Sequence, residues 1–209
     1  MGAVLGKYRF IMSEPSNPVV LHYSERKVIS EDTIARSQAI VQAHAAEGAT
    51  LDSSFLTLDK MPRMERSACP NFPPSEIKVV NLDSFTVARD IMRESPDARG
   101  KTTVLNLASD ARRAGGWVQS LSKTQEEALC YSSTLYATLE PKYYPWPNVG
   151  PGSAAGIYSP GVVIFKDDLD HGCAELQPSD RRVVSVITVA APRHRALTED
   201  SSTFKNPSF

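Results

Sequence analysis

Several signatures of function are missing from this sequence, and each absence narrows what the chain can do. It has only three cysteines, Cys69, Cys130 and Cys173, set far apart with no Cys-x-x-Cys pair. That excludes the usual zinc-ligand spacings and a disulfide framework, and it fits a reducing intracellular compartment. Charge of one sign is also lacking: 23 basic residues stand against 24 acidic ones, for a formal net charge of −1. Nothing therefore draws the chain as a whole to nucleic acid or to an anionic membrane, and neither is expected as a partner. An anionic ligand has to be held by local backbone dipoles or by single side chains. The longest apolar stretch, Val183–Ala191 with Ser185 and Thr188 inside it, has the length of a strand and is too short to cross a bilayer. The beginning, Met1-Gly2-Ala3-Val4-Leu5-Gly6, reaches Lys7 and Arg9 before any long apolar run, so it fits neither a signal peptide nor a myristoylation site. No Walker loop, Gly-x-Gly-x-x-Gly or Gly-x-Ser-x-Gly occurs, and His22, His44 and His194 sit in no recognisable nucleophile motif.

What is present is an ordinary globular composition, 41% hydrophobic and 22% charged over 209 residues, enough for one domain with a sizeable core. A monomer is expected. Residues 1–29, broken by Ser13-Glu14-Pro15-Ser16-Asn17-Pro18, are expected to form an N-terminal arm, with the domain proper over 30–209. Ser30 followed by Glu31-Asp32 predicts a capped helix running towards Gly48 with Ile34, Ala35, Ala39, Ile40 and Ala43 as its apolar positions. Residues 60–76 are expected to be surface loop and residues 141–161 a long loop rich in proline, glycine and aromatics. Strands are predicted at residues 55–58, 77–81, 102–107, 161–165 and 183–189. Helices are predicted after Asp83-Ser84, through Val87, Ala88, Ile91 and Met92, and from Thr124 to Leu139. Strands alternating with helices predict an α/β fold with a mostly parallel sheet covered on both faces.

The chemistry lies in one stretch: Val104-Leu105-Asn106-Leu107-Ala108-Ser109, then Ala114-Gly115-Gly116-Trp117, then Thr124-Gln125-Glu126-Glu127. Two adjacent glycines let backbone amides approach a ligand without Cβ obstruction, which suits a diphosphate. The acids admit two readings. Thr124 with Glu127, and Ser122 with Gln125, fit capping boxes, in which acids in a first helical turn merely stabilise the helix. The same acids, beside a glycine turn, also fit a pair of catalytic carboxylates. Elsewhere, Asp167-Asp168-Leu169-Asp170-His171 matches no EF-hand spacing and reads as a solvated turn, so no metal is expected. Trp117 can stack on adenine or ribose, while Tyr143-Tyr144-Pro145-Trp146 reads first as core or loop anchoring.

The order Leu-Asn-Leu-Ala-Ser, Gly-Gly, an eight-residue spacer from Trp117 to Thr124, Gln-Glu-Glu, Leu-Cys and Ser-Thr-Leu-Tyr resembles the microbial-type poly(ADP-ribose) glycohydrolase family. Tyr158-Ser159-Pro160, Val163-Ile164-Phe165-Lys166-Asp167 and Ser185–Pro192 also look like family segments, so the resemblance covers about residues 30–200. It implies a macrodomain-like three-layer α/β/α sandwich that hydrolyses the ribose–ribose O-glycosidic bond of poly(ADP-ribose) and releases ADP-ribose. Its partners would be ADP-ribose, poly(ADP-ribose) and ADP-ribosylated proteins, and no cofactor is implied. Glu127 would be the catalytic acid/base and Glu126 would orient the substrate ribose. Gln125, supporting the catalytic loop, would join Asn106, Ala114, Gly115, Gly116 and Trp117 in the substrate-binding set.

The chain departs from the family pattern in two places. Ala114 stands where the family has a glycine, a position an alanine fits if its φ is negative, and Arg112-Arg113 replace an Asn-Pro. Arg112 or Arg113 could supply a phosphate-binding cation, although a solvated loop arginine is the more common case. The family also continues past the equivalent of Phe209 with a further helix, strand and glycine-rich loop, so a C-terminally truncated form is expected, with Leu197–Pro207 as a linker. The competing expectation is a non-catalytic ADP-ribose reader or an inactive remnant of the fold.

Overall fold

The computed structural model describes residues 18–61, 63–71, 73, 77–147, 150, 152–191 and 198–200. The fold is mixed α/β, built on a four-stranded sheet in the order β1-β3-β4-β2. Its strands are β1 (Ser54–Thr57), β2 (Thr103–Leu107), β3 (Ala155–Ile164) and β4 (Arg182–Val189). The expectation of a mostly parallel sheet is corrected here. β3 pairs antiparallel with both β1 and β4, and only β2 with β4 is parallel. Of the loop expected over residues 141–161, the last part, 155–161, is in fact strand and opens β3, which carries a bulge between Ser159 and Val162 around Pro160.

The strand predicted at Ile77–Asn81 does not form. Those residues run without regular structure, with Ile77 and Val79 89% and 95% exposed. β-branched composition does not make a strand where no neighbour offers a ladder.

The first helix, α1 (Tyr23–Ala43), begins seven residues before Ser30, and Ser30 sits inside it with its hydroxyl on the Lys27 carbonyl, 2.8 Å. Its buried positions are Ser30, Thr33, Ser37, Ile40 and Val41, a stripe with hydroxyl groups where the pattern of Ile34 and Ala35 had pointed elsewhere. The helix docks through polar contacts. Thr33 Oγ1 donates to the Tyr131 carbonyl at 3.0 Å, and the buried Lys166 ammonium reaches Asp32 at 2.6 Å and Thr33 Oγ1 at 2.8 Å. Residues 1–17, most of the expected arm, lie outside the described residues, as do His194 and nearly all of the expected linker.

Helix α2 (Ser84–Glu94) starts as predicted. Asp83 accepts from the Phe85 and Thr86 amides at 2.8 and 3.1 Å, and Phe85, Ala88 and Met92 are buried. Beyond β2 come one turn of helix, α3 (Trp117–Ser120), then α4 (Gln125–Ser132) and a further turn, α5 (Leu135–Thr138). The single helix predicted from Thr124 to Leu139 is thus broken at Ser133, which is extended and bridges to Ile164 of β3.

The main core joins Val104, Val184, Val186, Ile157, Val162 and Ile164 from one face of the sheet to Leu129, Leu135, Leu139, Phe85 and Met92 from the helices. On the opposite face Leu105, Leu107, Tyr158 and Ile187 stand roughly half exposed. Among the described residues no helix is long and apolar enough to cross a membrane.

Candidate active site

β2 is an edge strand, and what finishes its free edge is a side chain. Gln125, the first residue of α4, donates through Nε2 to the Leu105 carbonyl at 2.7 Å and accepts at Oε1 from the Leu107 amide at 2.9 Å. One amide group thereby stands in for a neighbouring strand, satisfying backbone groups that an open edge would leave unpaired. This locks the start of α4 to the end of β2 and fixes where the next two residues point.

Those residues, Glu126 and Glu127, are 3% and 4% exposed, adjacent, and without an ion pair to a described residue. Burying two adjacent carboxylates costs stability, and such an arrangement is characteristic of functional sites. Glu126 Oε2 accepts from the Ser109 amide at 2.8 Å, while Oε1 is buried without a partner. Burial pushes the Glu126 carboxyl up to about 7; the Ser109 amide and Asn106 pull against this, and the charge of Glu127 adds to it. Glu127 Oε2 takes the Thr124 hydroxyl as a hydrogen-bond donor. The capping-box reading is corrected by this contact: Thr124 is the N-cap residue but its hydroxyl makes no cap bond to backbone, and Gln125 turns to β2 instead of Ser122.

Across from the acids, the loop after β2 closes over them in a chain of contacts. The Ser109 amide holds Glu126, and the Ser109 hydroxyl accepts from the Ala111 and Arg112 amides, both at 3.2 Å. The Arg112 carbonyl then accepts from the Gly115 amide at 3.1 Å. Ala114, Gly115 and Gly116 follow one another in left-handed conformation, with φ of 49°, 62° and 84°. Gly115 lies so close to the acids that a Cβ there would overlap Glu127 Oε1 and stand 3.1 Å from Glu126 Oε2. Glycine is needed at that position both for its positive φ and to admit the carboxylates.

Four members of the expected substrate-binding set take a different form. Ala114 has positive φ, so the negative φ supposed to make alanine acceptable is not what occurs; its methyl is wholly buried and is turned away from any ligand surface. Trp117 is fully buried, edge-on to Tyr131 at 5.1 Å and Tyr136 at 5.3 Å, so its indole is core packing and offers no face for stacking. Gln125 contacts β2 backbone and Ser84, a supporting role. Asn106 is fully buried beneath Glu126, donating to Thr188 Oγ1 at 3.2 Å with its Oδ1 unpartnered.

Ser109, Thr188 and Tyr144 were missed as site residues. Burial raises the pKa of Tyr144, whose hydroxyl is buried and lies within the field of Glu126. Only tertiary contact brings it there, through tilted ring contacts of Tyr144 with Trp146 and of Trp146 with Phe55.

Two other features lie apart. A surface cavity of about 650 Å³ is lined by Thr57, Asp59, Arg63, Gly152 and Ser153 and by no residue of the carboxylate site. Asp167, Asp168 and His171 converge, but their oxygens already accept bonds. Asp168 takes the His171 amide and ring at 3.0 and 2.7 Å and the Thr86 hydroxyl at 2.7 Å, and Asp167 takes Arg89 at 2.9 Å.

Fold and site together define a mixed α/β domain with a buried carboxylate pair pressed against a left-handed glycine turn. Residues 62–167 match the family described as microbial-type PARG, catalytic domain, and the chain belongs to that family. Among solved structures, the poly(ADP-ribose) glycohydrolase of Thermomonospora curvata is 24% identical with a TM-score of 0.60, the alignment covering 81% of this chain and 65% of that one. The same enzyme bound to the inhibitor ADP-HPD matches at 24% identity and a TM-score of 0.62, over 86% of this chain and 67% of that one. A Deinococcus radiodurans glycohydrolase in complex with ADP-ribose is 32% identical over 53% of this chain and 42% of its own, with a TM-score of 0.42. The chain thus spans about two thirds or less of the length of these structures. Among curated proteins, none matches the sequence.

Proposed function

We propose that this domain hydrolyses the ribose–ribose O-glycosidic bond of poly(ADP-ribose), releasing ADP-ribose, on a macrodomain-like sandwich of the kind the family resemblance implies. The observation that carries this reading is the pair Glu126 and Glu127, buried side by side with no ion pair to a described residue and pressed against Gly115. Family membership and the inhibitor-bound relative support the substrate class.

In this reading the ribosyl linkage lies over Gly115 and Gly116, the diphosphate rests on their backbone, and Glu127 faces the scissile oxygen. Cleavage through an oxocarbenium-like transition state needs a proton at the leaving oxygen and then a base for water. Glu127 gives its proton to the departing ribose oxygen as the anomeric C–O bond breaks. Water then adds to the anomeric carbon and returns a proton to Glu127. Glu126, held by Ser109, orients the ribose hydroxyls, and burial, reinforced by the charge of Glu127, raises its carboxyl to about 7. Gln125 and Asn106 act beneath the acids as supports.

The test is release of ADP-ribose from poly(ADP-ribose) by purified protein, compared with Glu127→Gln. A loss of turnover of at least about a hundredfold is expected, with ADP-ribose affinity within about threefold of the parent. Equal cleavage by the variant sinks the catalytic assignment. Binding without cleavage by the parent itself would support the non-catalytic reader.

A further inference from the structure

The loop that closes over the acids carries two arginines, and the structure separates them. Arg113 is spent internally: its guanidinium lies 3.7 Å over the Tyr136 ring and donates to the Tyr136 carbonyl. Arg112 is exposed, and no ion pair or hydrogen bond to a described residue engages its guanidinium. Its side chain runs across the glycine turn, with Cδ and Nη1 3.5 and 3.9 Å from where a Cβ on Gly116 would stand. Its backbone is fixed on both sides, the amide on Ser109 Oγ and the carbonyl on the Gly115 amide. The backbone that carries this charge is therefore anchored at the rim of the turn through Ser109, whose amide holds Glu126.

Electrostatics give that placement a use. A ligand carrying two phosphates, brought against two buried carboxylates, meets repulsion of several kcal/mol unless a cation intervenes. The overall charge of −1 offers no general attraction, and Arg113 is committed to Tyr136. We infer that Arg112 is the anion-recognising residue of this site, its guanidinium pairing with phosphate oxygens of a ligand seated on Gly115-Gly116 and selecting diphosphate-bearing ribosyl ligands over neutral ribosides. A guanidinium presents parallel donors that match two phosphate oxygens, whereas an ammonium offers a point charge. This assignment rests on the ADP-ribose reading above and adds to it the group that recognises the charge.

The test is calorimetric titration of ADP-ribose and of adenosine, which lacks the phosphates, into the parent, Arg112→Ala and Arg112→Lys, at two salt concentrations. Arg112→Ala is expected to weaken ADP-ribose binding by about ten- to a hundredfold and to flatten its salt dependence, as for any lost charge-assisted contact. Arg112→Lys should fall between the two, adenosine affinity should be the same in all three proteins, and thermal unfolding of the variants should match the parent because the side chain is exposed. ADP-ribose affinity within twofold of the parent in Arg112→Ala overturns the assignment while leaving the ADP-ribose reading intact. So does an equal loss for adenosine, which would place Arg112 against base or ribose. Failure of the parent to bind ADP-ribose at all overturns both.

Discussion

Gly115 and Glu127 compete for the same space: a Cβ on Gly115 would overlap Glu127 Oε1 and stand 3.0 Å from Cδ of the same carboxyl. The glycine turn is therefore shaped by the acids beneath it as well as by any ligand above it. Gly115→Ala should push the Glu127 carboxyl out of place and force a side chain into φ of +62°. Turnover is expected to fall by about a hundredfold, and stability by about 1–3 kcal/mol. Gly116→Ala is the comparison for stability and for the position of the acids. Its φ is +84°, but nothing stands closer than 3.5 Å, so a stability cost of about 1–2 kcal/mol from the backbone is expected without displacement of the Glu127 carboxyl. Denaturant melts on both variants and a cleavage assay on Gly115→Ala check these outcomes. Equal turnover for Gly115→Ala and the parent contradicts the crowding.

Gln125 joins the site to the fold by hydrogen bonds to Leu105 and Leu107. Gln125→Glu keeps an acceptor for the Leu107 amide but loses the donor to the Leu105 carbonyl and sets a carboxylate against it. A stability loss of about 1–3 kcal/mol is expected from the unpaired and repelled groups. The Leu107 amide should also exchange hydrogen faster, because the end of β2 is released. Unchanged exchange at Leu107 would show that the edge is held by something else.

How far these relations were legible beforehand depends on the range of the forces involved. Asp83 announced α2 because an N-cap acts over three residues, and the apolar runs gave β2 and β4 at nearly their observed limits. Strand direction was not local information. A βα rhythm suggested parallel pairing, but the tail of β3 extends back to Ala155 and pairs antiparallel with β1 and β4. α1 was misplaced because its buried stripe contains Ser30, Thr33 and Ser37, hydroxyls that an apolar pattern overlooks. Glu126, Glu127 and Gly115 could be picked out through the family resemblance. Burial of the Trp117 indole and the divergence of Arg112 from Arg113 could not, since both depend on Tyr136 across the fold.

Thr124 predicts a quieter defect. Its hydroxyl donates to Glu127 Oε2 and makes no cap bond to backbone. Thr124→Val keeps the shape and removes the donor, leaving the carboxyl less firmly oriented. A fall in kcat of about tenfold with KM nearly unchanged is expected, as for a group whose contribution is orientation. A rise in KM alone would assign Thr124 to ligand binding.

The Asp167, Asp168 and His171 cluster should be indifferent to metal. Its inward oxygens are occupied by Thr86, Arg89 and His171, so an ion would have to displace those bonds. Dialysis against a chelator is expected to leave cleavage and thermal midpoint unchanged. A drop in either on chelation, restored by a divalent cation, would contradict the occupancy.

The Glu126 proton supplies the sharpest dependence on pH. Burial, reinforced by Glu127, raises this carboxyl from 4.5 to about 7. Between those values the folded state holds a proton that the unfolded state has released, so stability from this group is present at the acid end and declines as pH rises towards 7. The full span amounts to roughly 3 kcal/mol at about 1.4 kcal/mol per pH decade, an upper bound for a single group. Glu126→Gln places a neutral amide in the same position and has no proton to lose. Denaturant unfolding of both proteins from pH 5 to 8 should show the parent losing stability relative to the variant across the window, with the difference levelling off above 7. Parallel stability curves for the two proteins over this range would mean that Glu126 is ionised throughout, and the account of its carboxyl as raised by burial would fail.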